Sequence, residues 1–325
     1  MSQLIVIDKL ALGTEQFQKA AKNLRDWKFV LAKKPKNTQR AILSDIEDYQ
    51  IFCDRFNLPC FTSDFELAKK TYTAYVDELA NSDLKRATID RRLASLSVVM
   101  KVMEIPNPYQ VSKIVQEYVD LTLRAKPKAQ KQAAPLRIED LEFINANFEI
   151  TKAKDLRDLL AINFSFSALL RGSELCAIEH KHINTRDNTL FIPVRKNDQD
   201  GEGGYSYLSD YCLNLYQLWA KESGTRSGYV FRAMNKGGNV LETPMKYRTF
   251  YDAFKQVLVR CGMNPEGYST HSGRVGAVSS MAEAGMDNFE IQLSGGWKDP
   301  KMPAKYAKQA QMKNAGIAKL LKNRG

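Results

Sequence analysis

The sequence predicts a mainly α protein of two domains, with a small antiparallel β-sheet in the C-terminal domain. Three observations predict it. Apolar residues recur at three- and four-residue spacing along most of the chain, a basic and proline-bearing break falls at 124–135, and two β-prone runs flank a glycine-rich turn near 200. With 325 residues, 44% of them hydrophobic and 26% charged, the chain can build a core in each domain.

The first domain spans 1–123, and from about residue 15 it reads as entirely helical, with four or five helices. "TQRAILSDIEDYQIFCDRF" (38–56) and "RRLASLSVVMKVMEI" (91–105) carry the stripe of an amphipathic helix. "FTSDFELAKKTYTAYVDELA" (61–80) adds another, with Thr62, Ser63 or Asp64 as its N-cap, and a further helix begins at Thr88. Pro106 and Pro108 fix a turn before a last helix, "YQVSKIVQEYVDLTLRA" (109–125).

The linker is 124–135, "RAKPKAQKQAAP", nearly free of large apolar side chains. Its Arg124, Lys126, Lys128 and Lys131 suit either a segment lying along phosphates or a merely solvated basic run. The second domain, 136–325, opens with the helical stretches "RIEDLEFINANF" and "KDLRDLLAINFSFSALLRGSELCAI". "TLFIPVR" and "YSYLS" then form a β-hairpin around the turn holding Gly201, Gly203 and Gly204. These glycines serve the turn, since neither a Walker motif nor a strand-to-helix phosphate loop surrounds them. Helical pattern resumes in "RTFYDAFKQVLVRCG".

A formal net charge of +11 makes a polyanion, most simply a nucleic-acid backbone, the expected partner. The longest mainly apolar run, "LLAINFSFSALL" (159–170), is far shorter than the roughly 20 residues that cross a bilayer, so no membrane partner is expected. The N-terminus lacks a secretion signal, which points to a cytoplasmic or nucleoid-associated place. Five cysteines at irregular spacing suggest buried, reduced thiols. His180 and His182, in "EHKHIN", read as solvated turn residues, because no carboxylate or cysteine cluster supports metal ligation; no metal and no other cofactor is expected.

A basic protein that breaks a phosphodiester without a metal needs fixed positive charge on the non-bridging oxygens, a nucleophile, and an acid for the departing oxygen. Arginine suits the first role because its planar fork contacts two oxygens and keeps its proton. Arg171 follows an apolar run in "FSALLRGSEL", where Glu174 can partner it, either as a structural ion pair or as part of a site. Lys196 lies at the mouth of the hairpin turn. His271 and Arg274 start a helix, "HSGRVGAVSSMAEAG", whose N-terminus attracts anions and whose Gly273, Gly276 and Ala277 permit close packing beside Arg171. Trp297 follows "LSGG", and its indole can donate one hydrogen bond. Tyr306, in "AKYAK", is flanked by lysines in a polar stretch.

"LLRGSEL", a hairpin lysine, "HSGR", "SGGW" and "KY", in this order and spacing, resemble the active site of the tyrosine site-specific recombinases, the phage integrase family. Each motif alone is weak, and the ordered set is specific. A tryptophan stands nine residues before the tyrosine, where many integrases have histidine. The resemblance implies that Arg171 and Arg274 clamp the scissile phosphate, that His271 and Trp297 complete its hydrogen bonds, and that Glu174 supports the site. Lys196 is implied as the general acid for the 5′-oxygen, with the adjacent Arg195 as the alternative. Tyr306 attacks to form a 3′-phosphotyrosyl link; a phenol starts near pKa 10, so it must lose its proton, and His271 is the acceptor.

The family architecture implies a C-shaped clamp on double-stranded DNA, formed by a helical, SAM-like DNA-binding domain and the catalytic domain. The helix starts around Lys36, Arg40, Arg86, Arg91 and Arg92 are then candidates for DNA contacts, and Arg248 in "KYRTFYDAF" matches a family arginine that reads guanine. Ile317, Leu320 and Leu321 form an apolar stripe on the tail, which family members dock into a neighbouring subunit. The implied assembly is a homotetramer on two sites with inverted repeats, exchanging strands through a Holliday junction for a phage, plasmid or transposon, without ATP or a divalent metal. The rivals are DNA relaxation of the type IB topoisomerase kind and an inactive accessory DNA-binding protein.

Overall fold

The computed structural model describes residues 10–128, 132–195, 201–301, 303, 304 and 320. The chain divides into two compact units, 1–131 and 132–325.

In the first unit, β1 (Leu10–Ala11) pairs in parallel with β2 (Phe61–Thr62), a short contact within what the periodicity reads as all helix. Helix α1 (Thr14–Lys33) buries Ala20, Leu24, Trp27 and Leu31, one residue per turn. Helix α2 (Lys36–Arg55) starts after Pro35, whose fixed φ suits a helix entry, and buries Ile42, Ile46, Tyr49 and Phe52. Helix α3 (Phe65–Asn81) is capped by Asp64, whose carboxylate accepts from the Leu67 amide at 3.0 Å. Helix α4 (Arg86–Met103) begins two residues before Thr88 and ends at Glu104, in the left-handed region at φ 56°. The last helix expected over 109–125 is divided into α5 (Pro108–Val111) and α6 (Lys113–Thr122). Ser112 divides them, because its hydroxyl caps the second helix by accepting from the Val115 amide at 3.3 Å. Tyr49, Phe52, Phe61 and Tyr75 stack at the centre of this unit's core.

The second unit is built around α8 (Ala153–Ser167), whose Leu159, Leu160, Ile162 and Phe164 are almost fully buried. Helix α7 (Ile138–Asn147) precedes it. The helical stretch expected to run to 178 breaks at Ala168–Arg171, where Leu169 is left-handed at φ 50°, and restarts as α9 (Gly172–Cys176). Strands β3 (Ile183–Asn184), β4 (Thr189–Ile192) and β5 (Gly204–Tyr207) form an antiparallel sheet in that order; the expected hairpin is β4–β5, paired from Thr189↔Tyr207 to Ile192↔Gly204. Helix α10 (Asp210–Glu222) leads to a second hairpin, β6 (Arg232–Met234) with β7 (Val240–Pro244), which the hydrophobic pattern does not announce. Helices α11 (Tyr247–Arg260), α12 (Ser272–Glu283) and α13 (Asn288–Gly295) follow. Helices α10, α11 and α12 all pack on α8.

Two expectations are corrected here. His180 and His182 are buried, not solvated: the His182 Nδ1 accepts from the Glu179 amide at 3.0 Å, and the His180 Nδ1 bonds the Tyr216 hydroxyl at 2.9 Å. The glycines of α12 do permit close packing, but against Ser165 and Leu136 and not beside Arg171. A Cβ on Gly273 would meet Ser165 Oγ at 2.4 Å and one on Gly276 the Leu136 carbonyl oxygen at 1.6 Å, so these positions seat α12 on α8 and on the segment entering α7. The five cysteines are buried and free of disulfides. Among the described residues no helix is long and apolar enough to cross a membrane.

Candidate active site

The break after α8 creates the first part of the site. With Leu169 left-handed, the chain turns and presents Arg171 as the residue before α9. Glu174 binds it twice: one carboxylate oxygen accepts from the Arg171 amide at 2.8 Å, the other from its Nη1 at 2.7 Å. The Glu174 side chain is 5% exposed and that of Arg171 16%, so a buried carboxylate fixes a guanidinium that still reaches the surface. The ion pair expected from the sequence is present.

Helix α12 supplies the second part. His271 stands at its N-terminus, half-buried, and its amide donates to Ser269 Oγ at 3.2 Å. Arg274, one turn in, is 1% exposed. Its Nη1 donates to the Leu169 carbonyl, two residues before Arg171, and its Nη2 to the Gly295 carbonyl at 3.1 Å. The same guanidinium lies over the Trp297 ring, 4.2 Å from the centroid. Arg274 therefore ties the Arg171 turn, its own helix and the end of α13 together.

Trp297 follows α13, which ends at Gly296 in the left-handed region at φ 59°. Its ring is buried with Leu169, Val278 and Ile291 in a small apolar cluster beneath the site. The hairpin joins through Arg195, 6% exposed, whose Nη1 donates to the Gly295 carbonyl at 2.6 Å and whose Nη2 donates to Ser206 Oγ at 3.0 Å. One carbonyl oxygen thus accepts from both Arg195 and Arg274. Lys196 and Tyr306 lie outside the described residues, as do Ile317 and Leu321 of the tail; Leu320 is helical and exposed.

The structure brings Arg171, Glu174, His271, Arg274 and Trp297 into one region. Gly172, next to Arg171, packs against Thr270, next to His271, with a built Cβ 3.1 Å from the threonine Cβ. Sequence reasoning missed two contributors. Arg195 enters the motif pattern only as an alternative to Lys196, and the pattern does not single out Tyr247, although its hydroxyl accepts from Thr270 Oγ1 at 2.8 Å. The one available signal was the position of Tyr247 beside Arg248.

The expected DNA contacts divide by exposure. Lys36 and Arg40 are exposed on the first turns of α2, and Arg40 Nη2 donates to Asn37 Oδ1 at 2.9 Å. Arg91 and Arg92 on α4 cross to α2, with Nη1 atoms 2.6 Å from the carboxylates of Asp45 and Asp48 respectively. Arg86 is corrected. It is 8% exposed, pairs through Nε with Asp90 at 2.7 Å and donates from Nη1 to the Leu123 carbonyl at 2.7 Å, so it closes α4 onto the segment after α6. Arg248 is 78% exposed on the first turn of α11 and pairs with Asp252 at 3.0 Å.

The family model described as "Phage integrase family" matches residues 135–313, more than half of the chain. The chain belongs to the phage integrase family. Among curated relatives, this integrase is similar to the recombinase Cre of Escherichia phage P1, 23% identical over 311 residues and 88% of each chain. Among solved structures it resembles the Tn1549 transposon integrase in complex with transposon right-end DNA, at a TM-score of 0.61 and 15% identity over 91% of this chain and 98% of that one. It also resembles the XerH site-specific recombinase bound to a palindromic difH substrate, at a TM-score of 0.63 and 12% identity over 98% and 92%. The mainly α fold with small antiparallel sheets is that of these recombinases. As a member of this family the chain is a tyrosine recombinase, an enzyme of DNA strand breakage and rejoining, as the ordered motifs lead one to expect.

Proposed function

We propose that this integrase recombines two double-stranded DNA sites, each with inverted repeats, as a homotetramer that passes through a Holliday junction. Tyr306 attacks the scissile phosphate and becomes linked to its 3′ side while the 5′-oxygen leaves. Arg171 and Arg274 meet the negative charge that builds on the non-bridging oxygens, with His271 and Trp297 as further donors. Lys196 gives the leaving oxygen its proton, His271 accepts that of Tyr306, and Glu174 fixes Arg171. The second half of the reaction reverses these transfers with a 5′-hydroxyl from the partner strand, so the bond energy is retained and no ATP is consumed.

The observation that carries this reading is the shared carbonyl network, in which Arg274 joins the turn before Arg171 to the end of α13 before Trp297. A phosphate clamp needs its donors fixed before the charge develops, and fixed backbone acceptors provide that. Lys36, Arg40, Arg91 and Arg92 serve the first unit's DNA contacts, and Arg248 reads a base from α11.

Assembly is supported by an apolar groove of about 690 Å³ lined by Phe166, Leu169, Tyr205, Ala277, Met281 and Leu293. Leu293 is 69% exposed and Phe289, on the same helix, 71%. A neighbour's Ile317, Leu320 and Leu321 supply an apolar stripe that such a groove can bury. The enzyme acts where bacterial DNA lies, in the cytoplasm, for a mobile element.

The test is covalent trapping. The protein is incubated in EDTA with DNA from its native replicon and denatured with SDS; a protein–DNA adduct is expected from the wild type and none from Tyr306→Phe. Recombinant products from two-site DNA distinguish strand exchange from topoisomerase-like relaxation. Tight binding with no adduct at any mapped site would leave an accessory DNA-binding role as the better reading.

A further inference from the structure

Tyr247 is the first residue of α11 and immediately precedes Arg248. Its ring approaches Gly172 closely, so that a Cβ there would stand 2.7 Å from Cε2 and 2.9 Å from Cδ2. Its hydroxyl accepts from Thr270 Oγ1 at 2.8 Å, and Thr270 is 2% exposed. Gly172 follows Arg171 in the chain, and Thr270 precedes His271. One side chain at the start of an exposed helix turn is therefore wedged between the two segments that carry the clamp.

Packing alone does not account for it. Helix α11 is held to its core by Phe250, Phe254, Val257 and Leu258, all nearly inaccessible, whereas Tyr247 is 52% exposed. A glycine at 172 admits the ring at a distance where a Cβ would force a shift, and the buried Thr270 hydroxyl holds the phenol end. Reaction geometry is sensitive at this scale, since about 1 Å of misplacement costs on the order of 100-fold in rate.

We propose that Tyr247 is a positioning residue that couples docking of α11 on its base pairs to the alignment of Arg171 and His271. The cleavage step, and not binding alone, then discriminates the cognate site. This rests on the reading that Arg248 contacts a base and that Arg171 and His271 act on the phosphate.

The experiment uses the full chain and a duplex containing the site mapped by covalent trapping. A second duplex carries the one base-pair change at which Arg248→Ala and wild type bind equally. Single-turnover cleavage at saturating protein, and Kd, are measured for wild type, Tyr247→Phe and Thr270→Val, the two variants removing one hydrogen bond from its two ends. Both variants keep the ring against Gly172, and thermal melts confirm that they fold.

Both are expected to bind the cognate duplex within about 3-fold of wild type and to cleave it about 10-fold more slowly. The cognate-to-altered ratio of saturated cleavage rates, large in the wild type, is expected to approach one in both. Unchanged rate and ratio in the two variants overturns the proposal. A loss of cleavage matched by an equal loss of binding also overturns it, by making Tyr247 an affinity contact. Absence of any wild-type adduct overturns the functional reading itself and is recognised before a variant is tested.

Discussion

At the scale of single residues, Arg195 and Lys196 are adjacent in the chain and carry the same charge, and the partners of Arg195 bear on which of the two acts as the acid. The Arg195 fork is committed to the Gly295 carbonyl and to Ser206 Oγ, and a Cβ on Gly296 would stand only 2.5 Å from its Cζ. A guanidinium spent this way is a brace between the hairpin and the end of α13, which supports Lys196 as the general acid. A leaving group that needs no proton separates the two roles. Lys196→Ala is expected to lower cleavage by roughly 100-fold or more on ordinary DNA. On a duplex with a bridging 5′-phosphorothiolate at the scissile bond its rate should return close to wild type, because a thiolate leaves unprotonated. Arg195→Ala should slow both substrates alike and lower the melting temperature, since it removes the bond to the Gly295 carbonyl that Arg274 also uses. Rescue of Arg195→Ala by sulfur would reverse the assignment.

Among the elements, α2 and α4 are held by a pair of unequal exposure, which makes an asymmetric prediction. Asp45 is 1% exposed and accepts from Arg91 Nη1 at 2.6 Å and from Ser95 Oγ at 2.7 Å, whereas Arg91 is 45% exposed. Arg91→Ala strands a buried carboxylate and should cost about 3 kcal/mol of stability, while Asp45→Asn leaves an arginine that water can solvate and should cost about 1 kcal/mol. Urea unfolding of the two variants checks the order, and equal losses would refute it. The helices themselves were legible, because a repeated apolar stripe such as Ala20, Leu24, Trp27 and Leu31 is a property of spacing alone. Their interruptions were not. Ser112 and Leu169 sit inside apolar patterns that continue across them, and what breaks the helices is a hydroxyl cap in one case and a carbonyl turned toward Arg274, 105 residues away, in the other. Strands of two or three residues, such as β3 and β6, are too short to show alternation. In the site, the side chains that touch the phosphate in the proposed reaction were recognisable as ordered motifs. The braces Arg195 and Tyr247 belong to no motif, since their roles depend on contacts between distant segments. The place of Arg86 is not legible in the sequence, because a basic residue at a helix start looks the same whether it faces solvent or folds back on Asp90 and Leu123.

For the whole molecule, the division into two units meets an uneven distribution of titratable groups. The chain has three histidines, His180, His182 and His271, and all lie in the unit 132–325. Burial lowers the pKa of His180 below its ordinary 6.5, with the nearby Arg232 acting the same way. Burial also lowers that of His182, opposed by Glu179 and assisted by Lys181. A lowered folded-state pKa means that the folded unit binds fewer protons than the unfolded chain. The stability each imidazole contributes is therefore fully present above about pH 6.5 and is lost as pH falls through the folded value. Carboxylates titrate near pH 4, below this window, so the first unit, which has no histidine, has little to respond with between pH 7.5 and 5.5. Each unit has its own core, built on Tyr49, Phe52 and Tyr75 in one and on Phe164, Trp219 and Phe250 in the other, so two calorimetric transitions are expected. On lowering the pH from 7.5 to 5.5, the transition of unit 132–325 should move to lower temperature and that of unit 1–131 should stay in place. His180→Gln with His182→Gln should flatten the pH response of the former at some cost in its stability at pH 7.5. A single transition, or two that move together, would refute the independence of the two units.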